Sequence, residues 1–255
     1  ALDYIRENPA TWQDYRYECT GSMTYGDAVM NCFDGHVHGM LDLRLSLANS
    51  CNTSFATIGE QINPDSLHSL CESFLFNKGL PLQDNLEYKQ SSFVLDGNSG
   101  LAERVQTAIG QGKTMISPIH NALIAATIAN GGTMMSPYAI DRVESPDGKI
   151  VRQFTPTAAG KLMSAEEAET LTNFMVAVVN EGTSPSLQSD SYQVAGKTGS
   201  AEFNSNKEDS HAWFIGFAPA ENPEIVVSIV YENGGIGGSV ATKGAKKIFE
   251  GYFNR

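Results

Sequence analysis

No stretch of the 255 residues approaches the roughly 18 uncharged apolar residues of a membrane-spanning helix. The first residues, ALDYIRENPATW, lack both the basic start and the apolar run of a signal peptide. Basic residues are scarce too: 17 Lys and Arg, scattered rather than clustered, stand against 29 Asp and Glu for a formal net charge of -12. That balance disfavours a phosphate backbone, so no nucleic-acid partner is expected. The four cysteines, Cys19, Cys32, Cys51 and Cys71, form no C-x-x-C pair, which argues against a structural zinc site or a thioredoxin-type redox centre. Whether Cys19 and Cys32 are bridged or free stays open. His36 and His38 make an H-x-H in DGHVHGM, but no other ligand pattern accompanies them, so they read as polar loop residues. No metal and no cofactor is expected. Internal repeats and low-complexity linkers are also missing.

With 41% apolar residues, the chain has enough to bury a sizeable core. LDLRLSLA at 41–48 places Leu41, Leu45 and Ala48 on one helical face, and helical spacing resumes in SCNTSFATIGEQI, so Ser50, Cys51 and Asn52 fall between two helices. Ser117 and Pro118 read as N-cap and first residue of a helix ending at Gly131 and Gly132. A capping box of Ser164 and Glu167 opens another, with an apolar stripe of Leu171, Phe174, Met175, Val178 and Val179 and Gly182 placed to stop it. SYQVAGKTG, HAWFIGFAP and EIVVSIVYENG read as three strands of an antiparallel meander, with Trp213 and Phe214 in its core. The tail ATKGAKKIFEGYF returns to helical spacing, with Ala245, Ile248, Phe249 and Tyr252 on one side. SPDGKI at 145–150 is a hairpin turn, making 137–155 a small surface excursion. Helices, then a meander, then a closing helix give an α/β (α+β) domain with an antiparallel sheet flanked by helices, spanning 1–255 as one unit.

Gly-Lys-Thr occurs twice, at Gly112-Lys113-Thr114 and at Gly196-Lys197-Thr198. A phosphate-binding loop needs a further glycine five residues earlier, where these copies have Thr107 and Ser191. The first copy reads as a structural loop before the Pro118 helix. Shifted by one residue, the second becomes Lys197-Thr198-Gly199 on a strand. It must be weighed with Ser50-Cys51-Asn52, because S-x-N and K-T-G accompany an S-x-x-K nucleophile in penicillin-binding proteins and serine β-lactamases.

The likeness extends through DLRLSLANSCNTSFATIGEQI, AIGQGKTMISPIHNALIAATIANGGTMMSPY, FMVAVVNEGTS and VAGKTGSAEF to HAWFIGFAPAENPEIVVSIVYENG. Together these blocks resemble the transpeptidase domain of class B penicillin-binding proteins, most weakly at 75–100. The resemblance implies the β-lactamase/transpeptidase-like fold and a peptidoglycan D,D-transpeptidase that cross-links stem peptides through an acyl-serine and is acylated by β-lactams. It implies a place on the extracytoplasmic face of a bacterial membrane, an upstream anchor, and glycosyltransferase or cell-wall-synthesis partners. Ser50 would pass a proton to the leaving amine, and Asn52 would hold the substrate backbone and orient the nucleophile's lysine. Lys197 would supply positive charge; Thr198 and Ser200 would offer hydroxyls to the substrate carboxylate. Gly199 would leave the strand edge open, and the Ser200 N–H would form half of the oxyanion hole. Many relatives have Thr where this chain has Ser200; the hydroxyl survives the change.

One element of the pattern is missing: no Ser or Thr here is followed three residues later by Lys. The resemblance therefore places the nucleophile upstream of Ala1, leaving this domain incomplete at its N-terminus. The alternatives are a non-catalytic penicillin-recognising, sensor or scaffold domain, or a D,D-carboxypeptidase or β-lactamase. Cys51 reads as a small buried filler.

Overall fold

Short strands and helices alternate in the first part of the chain. In the computed structural model, which describes residues 1–84, 86–203 and 210–254, helix α1 (Leu2–Glu7) leads to β1 (Tyr17–Cys19), a hairpin of β2 (Ser22–Tyr25) and β3 (Ala28–Asn31), and β4 (Gly39–Leu41). β4 turns back antiparallel onto β1, setting Cys19 opposite Gly39. These strands of three or four residues are too short to show an alternating pattern in the sequence, and Leu41, read above as helical, closes β4 instead.

Asp42 then caps α2 (Leu43–Ala48), its carboxylate accepting from the Leu45 N–H at 2.6 Å. After three residues α3 (Asn52–Gln61) begins, followed by α4 (Pro64–Ser73), α5 (Leu101–Ala108) and α6 (Pro118–Ala129). The expected break between α2 and α3 is there, with Ser50 and Cys51 in it. α2 and α3 are fastened by buried hydroxyls: Ser54 Oγ donates to Ser46 Oγ at 2.7 Å, and Tyr15 Oη lies 2.9 Å from Ser54 Oγ. A buried hydroxyl without a partner is costly, so this chain of contacts holds the two helices in one relative orientation.

β5 (Thr133–Ser136) pairs with β8 (Thr157–Lys161), and between them β6 (Arg142–Glu144) and β7 (Ile150–Gln153) form the expected exposed hairpin. α7 (Ala165–Asn180) starts with the full capping box, Glu167 N–H to Ser164 Oγ at 3.0 Å and Ser164 N–H to Glu167 Oε2 at 2.7 Å. Its stripe is buried throughout, Leu171, Phe174, Met175, Val178 and Val179 all turning inward. β9 (Ala195–Glu202), β10 (Ser210–Ala218) and β11 (Ile225–Tyr231) form the meander in the order β11-β10-β9, which leaves β9 on an edge.

Alternation along β10 divides the core. Ala212, Phe214 and Ala218 meet Ala241, Ala245 and Phe249 of α8 (Ala241–Phe253), while Phe217 joins Ile128 of α6 and Leu171 and Met175 of α7. The buried side of α8 is thus the i, i+4, i+8 row of Ala241, Ala245 and Phe249, and Ile248, expected inside, is exposed. Phe214 is core as expected, but Trp213 is only half-buried on the other face, beside Gly199.

The segment after α7 locks the helical part to the sheet. A β-carbon on Gly182 would lie 2.0 Å from the Ala48 carbonyl oxygen, so this glycine does more than stop a helix: it lets the loop press against the end of α2. There Thr183 N–H donates to Ala48 O at 3.2 Å, and Arg44 grips Glu181 with two contacts of 2.6 and 3.1 Å. Gly182→Ala is expected to lower the unfolding free energy by about 1–3 kcal/mol, the usual range for overpacking. Gly251→Ala, in exposed helix with open space around it, should raise it by about 0.5–1 kcal/mol. Urea unfolding of both variants checks the contrast.

Candidate active site

Ser50 closes α2 in an unusual way. Its own N–H reaches Leu47 O at 3.1 Å and the Cys51 N–H reaches Ser46 O at 3.0 Å, the two bonds of a Schellman helix end. That motif requires left-handed backbone at its turning residue, and Ser50 has φ +50°. Glycine would take this conformation freely, whereas a residue with a β-carbon carries a cost of roughly 1–2 kcal/mol there. A hydroxyl is therefore held at a position where the fold alone would favour none.

What that hydroxyl meets is Lys197, 147 residues later in the sequence. Lys197 Nζ donates to Ser50 Oγ at 2.5 Å and to Thr198 O at 2.8 Å. The first contact uses an acceptor lone pair of Ser50, so the Ser50 hydroxyl hydrogen stays available for another partner. The lysine lies on the half-buried side of β9 facing the helices, where burial lowers its pKa from the ordinary 10.5 to about 8. At neutral pH it remains a cation.

The neighbouring residues of β9 point alternately. Thr198 Oγ1 lies 3.0 Å from Thr183 Oγ1, in the same loop that Gly182 seats against α2. Two hydroxyls sharing one hydrogen bond keep one hydrogen free. Ser200 Oγ accepts from the Gly237 N–H at 3.1 Å, again leaving its own hydrogen to donate. The Ser200 carbonyl accepts from Gln111 Nε2 at 3.0 Å, a partner outside the sheet. In an antiparallel edge strand both main-chain groups of a residue point the same way, so the Ser200 N–H also faces the open edge. Gly199 has room for a side chain, since an added β-carbon would come no closer than 3.4 Å to Trp213. Packing does not demand glycine there; a side chain would instead stand over the open strand.

Of the residues singled out from sequence, the structure brings Ser50 and Lys197 into direct contact and sets Thr198, Gly199 and Ser200 beside them along one strand. Asn52 opens α3 and its amide donates to Asn31 O at 2.9 Å. Lys113 of the first Gly-Lys-Thr copy is largely exposed and paired with Glu103 at 2.9 Å, as a structural loop would have it. Two residues that bond to this strand carry no signal in the sequence. Thr183 shows no spacing relation to Thr198, and Gln111 directly precedes the first Gly-Lys-Thr copy. Through Gln111 the first copy touches the second. Cys19, Cys32 and Cys51, which showed no pairwise spacing, are gathered with His38 just behind the Ser50 turn, their donor atoms all within 4.8 Å of one another. The cysteines are free thiols in the structure. The spacing argument against a shared role for them fails because four separate segments contribute.

The family model described as "Penicillin binding protein transpeptidase domain" matches residues 8–250. The peptidoglycan D,D-transpeptidase PbpA of Mycolicibacterium smegmatis is 32% identical over 200 residues, covering 76% of this chain and 39% of the relative. Among solved structures, the D,D-transpeptidase domain of a peptidoglycan glycosyltransferase from Eggerthella lenta superposes with a TM-score of 0.88 at 28% identity, over 99% of this chain and 63% of that one. The penicillin G acyl-enzyme complex of penicillin-binding protein A from M. tuberculosis gives a TM-score of 0.87 at 26% identity, over 99% of this chain and 59% of that one. The chain thus spans about two fifths of the M. smegmatis relative's length.

The lowered pKa of Lys197 has a measurable consequence. Because the folded state releases this proton near pH 8 and the unfolded chain only near 10.5, the folded protein carries a penalty that is complete below pH 8 and relieved as pH rises to 10.5. Urea unfolding of the parent and of Lys197→Met should show the parent gaining stability relative to the variant across that window. A difference independent of pH between 7 and 11 would mean that Lys197 titrates as an ordinary lysine, near 10.5.

Proposed function

The chain belongs to the penicillin-binding protein transpeptidase family, and on that premise we propose that it carries part of a peptidoglycan D,D-transpeptidase site that works through an acyl-serine and is acylated by β-lactams. The observation that supports this reading most is the contact between Lys197 and Ser50 at the open edge of β9. In an acyl transfer of this kind a serine oxygen attacks the carbonyl of the penultimate D-alanine of a stem peptide, and the C–N bond to the terminal D-alanine breaks. The proton leaving the serine must end on the departing nitrogen, and an acceptor amine then takes the acyl group from the serine.

Ser50 is suited to the proton's second leg. Held as an acceptor by Lys197, it keeps a hydrogen to hand to the leaving nitrogen and can be refilled from the serine's base. Lys197 sets the positive potential that draws the substrate carboxylate, and the spare hydrogens of Ser200 and of the Thr183–Thr198 pair would bind it. The Ser200 N–H would form half of an oxyanion hole. A peptide laid along β9 as an added strand would pass over Gly199, where no side chain obstructs it. Asn52 would hold the substrate backbone from the start of α3.

The nucleophile and its lysine belong, on this reading, to residues preceding Ala1, since none of the 255 residues supplies S-x-x-K. The substrate places the reaction outside the cytoplasm, on a protein anchored through an upstream segment and working beside a glycan-polymerising partner. Intact-mass measurement with penicillin tests the reading. Residues 1–255 alone should gain no adduct, while the protein extended upstream through the nucleophile should gain one. In that longer protein Lys197→Ala should slow acylation by about 10²–10⁴-fold, the range for losing a proton-transfer group, and Lys113→Ala should leave it near the parent rate. An adduct on the short chain, or equal effects of the two lysines, would overturn the assignment; no adduct on the longer protein would favour a non-catalytic recognition domain.

A further inference from the structure

The lobe formed by β1 to β4 has almost no hydrophobic core of its own. Its large apolar side chains face solvent, with Phe33, Val37 and Met40 about 60% exposed, and what it buries against the helices is mainly Tyr25, Leu41, Cys19 and Cys32. Strands of three or four residues in two-stranded pairs do not hold together on backbone hydrogen bonds alone. Small units of this kind are ordinarily fastened by disulfides or by a structural metal ion.

The fastening atoms are present. Cys19 ends β1, Cys32 follows β3, His38 precedes β4, and Cys51 separates α2 from α3. The Cys19 and Cys32 sulfurs are 3.7 Å apart, those of Cys32 and Cys51 3.8 Å, and Cys19 Sγ lies 3.3 Å from His38 Nδ1. A zinc ion bound at about 2.3 Å by sulfur and about 2.0–2.1 Å by nitrogen sets tetrahedral edges of about 3.8 Å between sulfurs and about 3.5 Å between sulfur and nitrogen. Three of the six separations thus already match a tetrahedral ion, and the other three, all within 4.8 Å, need only a small inward movement of the side chains.

The surroundings fit as well. The Thr53 hydroxyl lies 3.4 to 3.6 Å from all three sulfurs and can donate to a thiolate, as groups around metal thiolates commonly do. Cys19, Cys32 and Cys51 are almost fully buried, and half-buried His38 gives the ion a way in. The loop carrying Cys32 and His38 is drawn tight: Cys32 N–H donates to Gly21 O at 2.9 Å, and a β-carbon on Gly21 would lie 2.5 Å from Gly35 O. A disulfide would use two of the three sulfurs and leave the third, with the imidazole, outside the link, whereas one ion engages all four groups.

From this geometry we propose that Cys19, Cys32, His38 and Cys51 form a closed Cys3His structural site for a zinc ion. Binding requires the three thiols to lose their protons to solvent and His38 to present neutral Nδ1. Closed four-ligand coordination makes the ion structural rather than catalytic. One ligand is the middle residue of Ser50-Cys51-Asn52, and Asn52 is also tied to the same loop through Asn31 O. The ion would thus fasten the lobe to the turn that holds Ser50, whether or not the transpeptidase reading is right.

Metal analysis of the purified protein decides the question without any activity assay. About one zinc per chain is expected, released by a mercurial thiol reagent, with a melting temperature that falls in chelator and recovers with added zinc. Cobalt exchange should give the visible bands of a tetrahedral thiolate site. Cys32→Ser should lose the metal, and Cys71→Ser, outside the cluster, should retain it. Should Cys32→Ser not accumulate, the parent protein decides alone. A parent that takes up no stoichiometric zinc or cobalt after reduction and reconstitution, or that holds Cys19 and Cys32 as a disulfide by mass after alkylation in denaturant, would overturn the proposal.

Discussion

A single hydrogen bond, from the Lys197 ammonium to the Ser50 hydroxyl, sets the terms for most of the structure around it. It spans an edge strand and a helix end far apart in the chain, and it needs both to be fixed to within a fraction of an ångström. Ser50 is held by a left-handed helix end that glycine would adopt more easily, and it presents a hydroxyl there. That helix end is in turn pressed by Gly182 and gripped through Arg44 and Glu181. Thr183, in the same loop, reaches across to Thr198, so the part that seats α2 also touches the strand carrying the lysine. The surface ion pair is worth little alone, while the buried hydroxyl chain through Ser46, Ser54 and Tyr15 restricts α2 against α3 more firmly.

The chemistry proposed for the site follows from how its donors are spent. Ser50 accepts from a cation, Ser200 accepts from the Gly237 N–H, and Thr198 shares with Thr183, so each arrangement leaves one hydroxyl hydrogen unspent. An edge strand with unspent donors, a half-buried cation and a glycine in its middle is suited to an extended, carboxylate-bearing ligand. Membership of the penicillin-binding protein transpeptidase family is consistent with that suitability.

Much of this is legible in the amino-acid sequence. The capping box at Ser164, the Pro118 start, the α7 stripe and the three-strand meander are local chemistry, and each appeared where it was read. The pairing of S-x-N with K-T-G correctly brought Ser50 and Lys197 together because two rare short patterns coincided in order. What was not legible depends on folding distant segments onto one another. β1 to β4 are too short for periodicity, Thr183 and Gln111 have no spacing relation to β9, and Cys19, Cys32, His38 and Cys51 come from four segments. Ile248 was misplaced because a helical stripe has two edges, and only tertiary packing decides that the Ala241, Ala245, Phe249 row faces the sheet. The two Gly-Lys-Thr copies illustrate the limit well: sequence treats them as unrelated, yet Gln111 beside the first bonds to the strand of the second.

On the proposed function, Ser50 and Lys197 act as one unit in acyl transfer. A double-mutant cycle of Ser50→Ala and Lys197→Ala, read as the second-order rate of β-lactam acylation of the protein extended through its nucleophile, tests it most directly. If the two share one function, the double variant should be about as slow as the slower single variant, with strongly non-additive losses. Losses that simply multiply would contradict the claim and show that the hydrogen bond, however short, is not where the chemistry is joined.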